Sequence, residues 1–377
     1  MKQALGIDFG TSNTAAAVLV GGRSHLIAVE PGRTSLPTSV FFDYERKITT
    51  YGSVANTALI DGREGRFMRA LKSVLGTPLM REKRQIAYEK MTLIEVVARF
   101  LRMVRERAET ATGATFNTAL SGRPVRFHSS DDARNTQAEI DLREAYMIAG
   151  FDDVAFMFEP EAAALAAGPL PKGKLGLIID IGGGTSDFSV FERDGDDTRI
   201  IASHGVRVGG TDFDKAISIS QVMPLLGRRL AARFHRLGVP PEAFKRLSDV
   251  LELELGHDIA FAVEAGKIRV NAPNAHEAAI DLRIIEKHLW ARLDADDLQR
   301  ILADHAQTIH AAAIQTLRGA NLSADQIGQI VFVGGSSLMG VIEDTMVRLF
   351  PQATLERTEA FTAVADGLAI AASKRRW

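Results

Sequence analysis

The sequence predicts an α/β chain of two lobes, on three observations. Its 377 residues are more than one core ordinarily fills. Short β-like runs bounded by turn residues alternate with longer stretches of helical periodicity. One strand–turn–strand pattern also occurs twice, as GIDFGTSNTAAAVL from Gly6 and IIDIGGGTSDFSVF from Ile178, one copy opening each half. The spacing is too long for a solenoid repeat and reads as an internal duplication.

The elements follow in order. LGIDF, TAAAVLV, SHLIAV and TSVFF read as strands, separated by the turn stretches GTSN, GGR and EPGRTSLP. A helix is predicted over 92–112. Thr92 and Glu95 form a capping box, Val96, Val97, Phe100, Leu101 and Val104 recur at helical spacing, and Gly113 stops it. A second helix is predicted over 131–149, ending at Gly150. PLPKGK, residues 169–174, reads as a linker, and KLGLIIDIGGG, SDFSVFERD and RIIASHGVRVGG follow as a second set of strands. The remainder is mostly helical, with an apolar strand QIVFV running into GGSS and a last helix at about 362–373. Met103 and Met147 sit at apolar helical positions and are expected in the core. His305 and His310, five apart, are expected on different faces of a helix, and the nine histidines have no metal spacing.

Composition narrows the class. At 46% hydrophobic and 24% charged the chain is that of a soluble globular protein. A net charge of −2 argues against a nucleic-acid or membrane-surface role carried by bulk charge. The absence of cysteine excludes disulfides, thiolate metal sites and a cysteine nucleophile. MKQALGIDFG reaches Asp8 before an apolar signal segment forms, and no apolar run approaches about 18 residues. A cytoplasmic protein, expected as a monomer, is the default.

Two nucleotide motifs nearly match and fail. GPLPKGKL has Leu175 where a P-loop needs Ser or Thr, and the glycines of 182–184 do not form GxGxxG, because Asp187 takes the last glycine's place. The remaining reading is a phosphate-binding β-hairpin. Glycine lets a tight turn bring backbone N–H groups to an anion, and Thr11, Ser12 and Thr185 add hydroxyl donors. A carboxylate beside a phosphate repels it unless a cation lies between. Asp8 and Asp180, each just before its turn, therefore point to Mg²⁺ held through water. One such hairpin is an ordinary turn; two with matching Asp, Gly, Thr and Ser are a clamp for a triphosphate.

These two hairpins resemble the phosphate loops of the actin, hexokinase and heat-shock protein 70 ATPase superfamily, and are closest to its heat-shock protein 70 (DnaK-type) branch. GRFMRALKSVLG, FEPEAAALAAG, GVRVGGTDFD and VFVGGSS fall in that family's order, so the likeness covers essentially the whole chain. GRPVRF and FEPEAA resemble the short, YegD-type putative chaperones. The resemblance implies a two-lobed actin-like ATPase, a duplicated ribonuclease H-like motif with a nucleotide cleft between the lobes. It implies lobe I at 1–171 plus 354–377, lobe II at 172–353, and an outer subdomain at about 211–286.

It also implies roles. Lys72 matches the catalytic lysine, whose ammonium would stabilise charge on the γ-phosphate. Glu159, before Pro160 at a helix start, would help place Mg²⁺ or the attacking water. Asp180 would orient that water, with Thr185 and Asp187 beside it, and Pro124 matches a relay proline. Gly10, Thr11, Ser12 and Asn13, with Gly182, Gly183 and Gly184, would hold phosphates; Asp8 and Asp180 would face the metal. Gly209, Gly210, Gly334, Gly335 and Ser336 match turns at the ribose and adenosine side; Glu264 and Lys267, three apart on one helix face, match ribose contacts. Ile268 and Leu338 stand where the family places two adenine-stacking arginines, which lowers the expected affinity by about 0.5–2 kcal/mol per contact.

The expected function is Mg-dependent binding of ATP and ADP with slow ATP hydrolysis, driving an opening and closing switch that acts on a partner or client protein. The alternative is a nucleotide-sensing interaction protein with little hydrolysis; a small-molecule kinase ranks last, because no second-substrate motif is seen. The chain ends after its last helix, so the peptide-binding half of such chaperones is not expected in it. Nucleic acid and membrane are not expected partners.

Overall fold

The computed structural model describes residues 4–128, 131–194, 197–227, 241–272, 278–357, 362–375 and 377. It has two main sheets of the same order. In the first, β1 (Ala4–Phe9), β2 (Asn13–Val20) and β3 (Arg23–Leu26) form an antiparallel meander, and β4 (Thr118–Arg123) and β5 (Asp153–Phe158) add in parallel beside β1. In the second, β6 (Leu175–Ile181), β7 (Ser186–Asp194) and β8 (Asp197–Val206) repeat the meander, and β9 (Ile327–Val333) and β10 (Thr354–Arg357) repeat the parallel addition beside β6. The duplication read from two hairpins thus extends to five strands in each half.

Helices cover the first sheet on both faces. α1 (Leu93–Thr112) and α2 (Asp132–Ala149) lie on the outer face. The Thr92–Glu95 capping box forms, Gly113 and Gly150 end the helices in left-handed conformations, and Val96, Val97, Phe100, Leu101 and Val104 are all buried. The inner face meets α3 (Glu159–Ala166) and α8 (Ala363–Lys374). Between these, lobe II adds α4 (Gly210–Ile217), α5 (Gly256–Val270), α6 (Ala295–Gly319) and α7 (Gly340–Leu349). Its outer part also holds the helix Pro241–Glu252 and the hairpin Ala278–Asp281 with Trp290–Leu293, so that part runs past residue 286. Residues 228–240 and 273–277 of the expected outer subdomain lie outside the described residues. The outer part of lobe I is a three-stranded sheet, Ser39–Asp43 with Thr49–Tyr51 and Gly65–Arg69, under the helix Ser53–Ile60.

The seam between the lobes is rich in alanine, with larger apolar side chains around it. Ala162, Ala163 and Ala164 of α3 and Val364, Leu368 and Ala372 of α8 pack with Ala4, Leu120 and Ala155 of one sheet and Ile178, Phe191, Val331 and Val333 of the other. Backbones come very close here: a Cβ on Gly367 would lie 1.7 Å from the Ala162 carbonyl oxygen, and one on Gly6 2.7 Å from the Ala369 nitrogen. Residues 169–174 carry the chain across this seam without helix or strand, apart from a turn, where the linker was expected.

Two expectations are corrected. Residues 354–357 were assigned to lobe I, but β10 hydrogen-bonds to β9 of the second sheet, so the return to lobe I begins after Arg357. Met147 is not core: it is 43% exposed at the open edge of α2, whereas Met103 is buried. Both histidines lie on α6, where His305 meets the Phe213 ring edge-on and His310 is exposed. Among the described residues no helix is long and apolar enough to cross a membrane.

Candidate functional site

Strand alternation sets the site. Leu5, Ile7 and Phe9 point to the outer core of lobe I, which turns Ala4, Gly6 and Asp8 to the inner face. Leu177, Ile179 and Ile181 likewise enter the outer core of lobe II, turning Ile178 and Asp180 inward. The two aspartates therefore stand on the facing sides of the two sheets, each at the end of the first strand of its meander. Asp187 pairs in register with Asp180 and shares its face.

The turns that follow meet across a cleft of about 2170 Å³, lined by both lobes. Gly10 folds tightly onto the Asn13 carbonyl, and a Cβ on Gly183 would lie 2.7 Å from Ser12 Oγ. Gly182 donates to the Thr185 carbonyl at 3.0 Å and closes the second turn, leaving Gly184 and Thr185 exposed to the cleft. Thr11, Ser12 and Asn13 line the opposite wall. Gly334 approaches this floor in a left-handed conformation (φ 78°); a Cβ there would meet the Ile181 carbonyl at 2.5 Å and Asp180 Oδ1 at 2.8 Å, so glycine is required. Gly335, Ser336 and Leu338 continue along the cleft.

Lys72 lies on a short 3₁₀ turn, Leu71–Val74, launched by Ala70 in a left-handed conformation. Burial of Leu71 and Leu75, the His128 Nε2 contact to the Leu75 carbonyl at 2.7 Å and the Gly76 N–H donated to Asp141 at 2.9 Å fix this loop. The Lys72 ammonium reaches Glu159 Oε1 at 2.5 Å. Phe158 is the extended residue at that corner, and Glu159 is already the first residue of α3, so the helix starts one position earlier than the proline rule suggests. Glu159 rests on Gly122, where a Cβ would approach its Cγ to 3.1 Å. Pro124 lines the same end of the cleft.

Charge is unbalanced here. Burial, then Glu159, pushes the Asp8 carboxyl up to about 7, with Lys72 opposing. Burial, then Glu159, Asp187 and Asp8, raises Asp180 well above the carboxylate range, and burial with Glu159 brings Asp187 to about 6. Burial works against the Lys72 ammonium, but Glu159, Asp8 and Asp180 outweigh it and hold its pKa above the ordinary value. Four carboxylates thus share one ammonium, a deficit a cation would offset.

At the far wall, Glu264 and Lys267 sit on one face of α5, as their spacing implies, and both line the cleft. The Lys267 ammonium pairs with Asp214 at 2.7 Å. Burial first, then Asp214, raises the Glu264 pKa, with Lys267 and Arg69 opposing. Ile268 is 60% exposed, and Leu338 packs partly into the lobe II core. Asn271 ends α5 and spans to the neighbouring loop, donating to the Leu338 carbonyl and accepting from Gly340, both at 2.8 Å.

The structure brings Asp8, Lys72, Glu159, Asp180 and both glycine turns together. Gly209 backs the Gly183–Gly184 backbone, and Gly210, which also lines the cleft, donates to the Gly182 carbonyl at 2.9 Å, so the pair buttresses the second glycine turn. Asp214, Asn271 and Asp141 were missed. Asp214 lies within GVRVGGTDFD, but its partner is 53 positions away and no local pattern joins them.

Two sheets sharing one five-strand order, the first with a sixth short strand, Ser35–Pro37, beside β2, face each other across a cleft floored by paired glycine turns and inward aspartates and define the two-lobed actin-like ATPase fold. The Hsp70 protein family model matches residues 4–223 and 243–374, and the chain belongs to the Hsp70 family. It is 28% identical to the chaperone protein DnaK of Endomicrobium trichonymphae over 91% of this chain and 53% of that one. It is also 28% identical to the chaperone protein dnaK3 of Synechocystis, over 99% and 48%, and to the DnaK of Methanothermobacter thermautotrophicus, over 98% and 59%. The chain spans about half the length of the curated relatives it matches.

Proposed function

We propose that the cleft binds ATP and ADP and hydrolyses ATP slowly with Mg²⁺, and that the lobes open and close with nucleotide state as the switch of a DnaK-like chaperone acting on a client or partner protein. The likeness of GRPVRF and FEPEAA to the YegD-type branch supports a place for it near those short chaperones. The observation that carries this reading is the meeting of the two glycine turns, Gly183 against Ser12, above the inward-facing Asp8 and Asp180.

The donor set suits a cation met through water. Asp8 and Asp180 supply hard oxygen acceptors with raised pKa values, and among the described residues no three candidate ligands converge closely enough for direct ligation. When bound, the ion would offset phosphate charge. The chain's own groups do the rest. Backbone N–H groups of Gly10–Asn13 on one side and of Gly183 and Gly184 on the other bind phosphate oxygens, while the Gly182 N–H closes its own turn. Lys72 exchanges Glu159 for the γ-phosphate and stabilises the charge spreading onto its oxygens. Glu159, so released, and Asp180 orient the attacking water, while the Thr185 hydroxyl holds the terminal phosphate. Gly334, Gly335, Ser336, Glu264 and Lys267 line the side that takes the nucleoside.

Single-turnover hydrolysis of labelled ATP tests the reading: phosphate release in the intact chain supports it, and tight binding without release rejects hydrolysis. A second reading, a nucleotide-sensing interaction protein with little hydrolysis, is favoured by Ile268 and Leu338, which leave the base wall without a cation to stack on the ring. Transfer of phosphate to a small metabolite would instead indicate a kinase.

A further inference from the structure

The helix that bears Glu159 is fastened at its other end by the opposite lobe. α3 has eight residues, about 12 Å of helix. Its last carbonyls lack partners within the helix. The Arg193 guanidinium, from β7, donates to the carbonyls of Ala164, Ala167 at 3.2 Å and Gly168 at 2.9 Å. A cation at a helix C-terminus is also favoured by the helix dipole. The Gly168 N–H donates to both carboxylate oxygens of Glu356, at 3.0 and 3.1 Å, and Gln329 Nε2 donates to the same carboxylate at 2.6 Å. Arg193, Gln329 and Glu356 all belong to the second sheet.

Their place in the chain matters as much as their bonds. Gly168 opens the first crossing between lobes, and Glu356 is the last residue but one of β10, the strand from which the chain returns to α8. The Gly168–Glu356 bonds therefore join two chain crossings 188 positions apart in sequence. At its other end α3 rests on lobe I, where Glu159 packs on Gly122.

We propose that Arg193 and Glu356 form an interlobe clasp that ties the angle between the lobes to the placement of Glu159. One end of α3 is held by lobe II and the other sits on lobe I. A tilt of about 5° over its length moves Glu159 by about 1 Å, a misplacement on the scale that costs about a hundredfold in rate. That catalytic consequence rests on the ATPase reading; the mechanical clasp does not.

The test is electron spin resonance distance measurement between nitroxides on the outer parts of the two lobes, at Ile60→Cys and Phe244→Cys, both half exposed. The chain has no cysteine to remove. In nucleotide-free protein, Arg193→Met and Glu356→Gln should each widen the interlobe distance distribution by about 1.5-fold or more. Arg199→Met, which removes an exposed ion pair with Glu192 on the same sheet, should leave it unchanged. Native circular dichroism with wild-type widths in both clasp variants overturns the proposal. Should Arg193→Met fail to fold, Glu356→Gln decides, and the Gly168 amide gives a second readout: slow hydrogen exchange in the wild type that is lost in Glu356→Gln supports the clasp, and fast exchange in the wild type overturns it. Adding Mg·ATP to the wild type is a separate arm. No response there counts against the nucleotide reading and leaves the clasp to the nucleotide-free widths.

Discussion

The Lys72 ammonium lies 2.5 Å from Glu159 Oε1, across a gap of 87 residues. The ion pair joins the loop after the outer sheet of lobe I to the first residue of α3. It holds Lys72 beside the two aspartates, Asp8 and Asp180.

Lys72→Ala should lower single-turnover phosphate release by at least about a hundredfold, the scale of losing one group that stabilises developing charge. ATP affinity, set by the glycine turns, should change by less than about fivefold. Both are read from one quench-flow and equilibrium-binding series. A variant that releases phosphate at the wild-type rate removes Lys72 from the chemistry.

Asp8 gives a stability prediction with a definite sign. Its folded pKa, about 7, lies above the unfolded value of 3.8. Between these values the native state holds more protons, so the group's contribution falls as pH rises through the window and is fully adverse above it. Asp8→Asn should therefore stabilise the nucleotide-free chain, by about 1–3 kcal/mol at pH 8 and about a third of that at pH 5. Urea unfolding at the two pH values measures it; an equal gain at both contradicts the raised pKa.

Asn271→Ala removes two hydrogen bonds between the end of α5 and the loop at Leu338 and Gly340. Each is worth about 0.5–1.5 kcal/mol. Nucleotide should leave about tenfold faster, because the outer part of lobe II loses its tie to the cleft wall. Stopped-flow displacement of a fluorescent ADP analogue gives the rate, and an unchanged off-rate separates Asn271 from release.

Gly367→Ala should destabilise the fold by about 3 kcal/mol or more, since a backbone carbonyl, that of Ala162, occupies the space of the added methyl. A wild-type denaturation midpoint would show that the two helices part easily.

Much of this was legible because the sequence repeats itself. Strand, Asp, turn, Thr and Ser in both halves placed Asp8, Asp180 and the glycine turns before any contact was known, and alternation along β1 and β6 then decided which way the aspartates point. What local sequence does not carry is pairing at a distance. Lys267 read as a ribose contact, yet its ammonium is engaged by Asp214, a partner that only the fold selects. Gly209 and Gly210 brace a glycine turn 25 positions or more before them, a contact their own motif does not announce. Met147 failed for a different reason: helical periodicity identifies a face but not where neighbouring cover stops, and α2 runs out of cover at that edge.

The alanine-rich seam has a mechanical consequence. Ala162, Ala163 and Ala164 pack with Ala155 and Ala372; α3 itself brings only alanine to the seam, and the longer side chains there, Leu120, Ile178, Phe191 and Leu368, come from the elements around it. Ridges and knobs set discrete registers between packed helices; methyl groups and bare backbone leave a smoother potential, closer to a bearing than a lock. Shear along such a surface needs little repacking. Friction between the lobes would then reside in a few polar fastenings at the rim, where single substitutions can set how fast the halves turn.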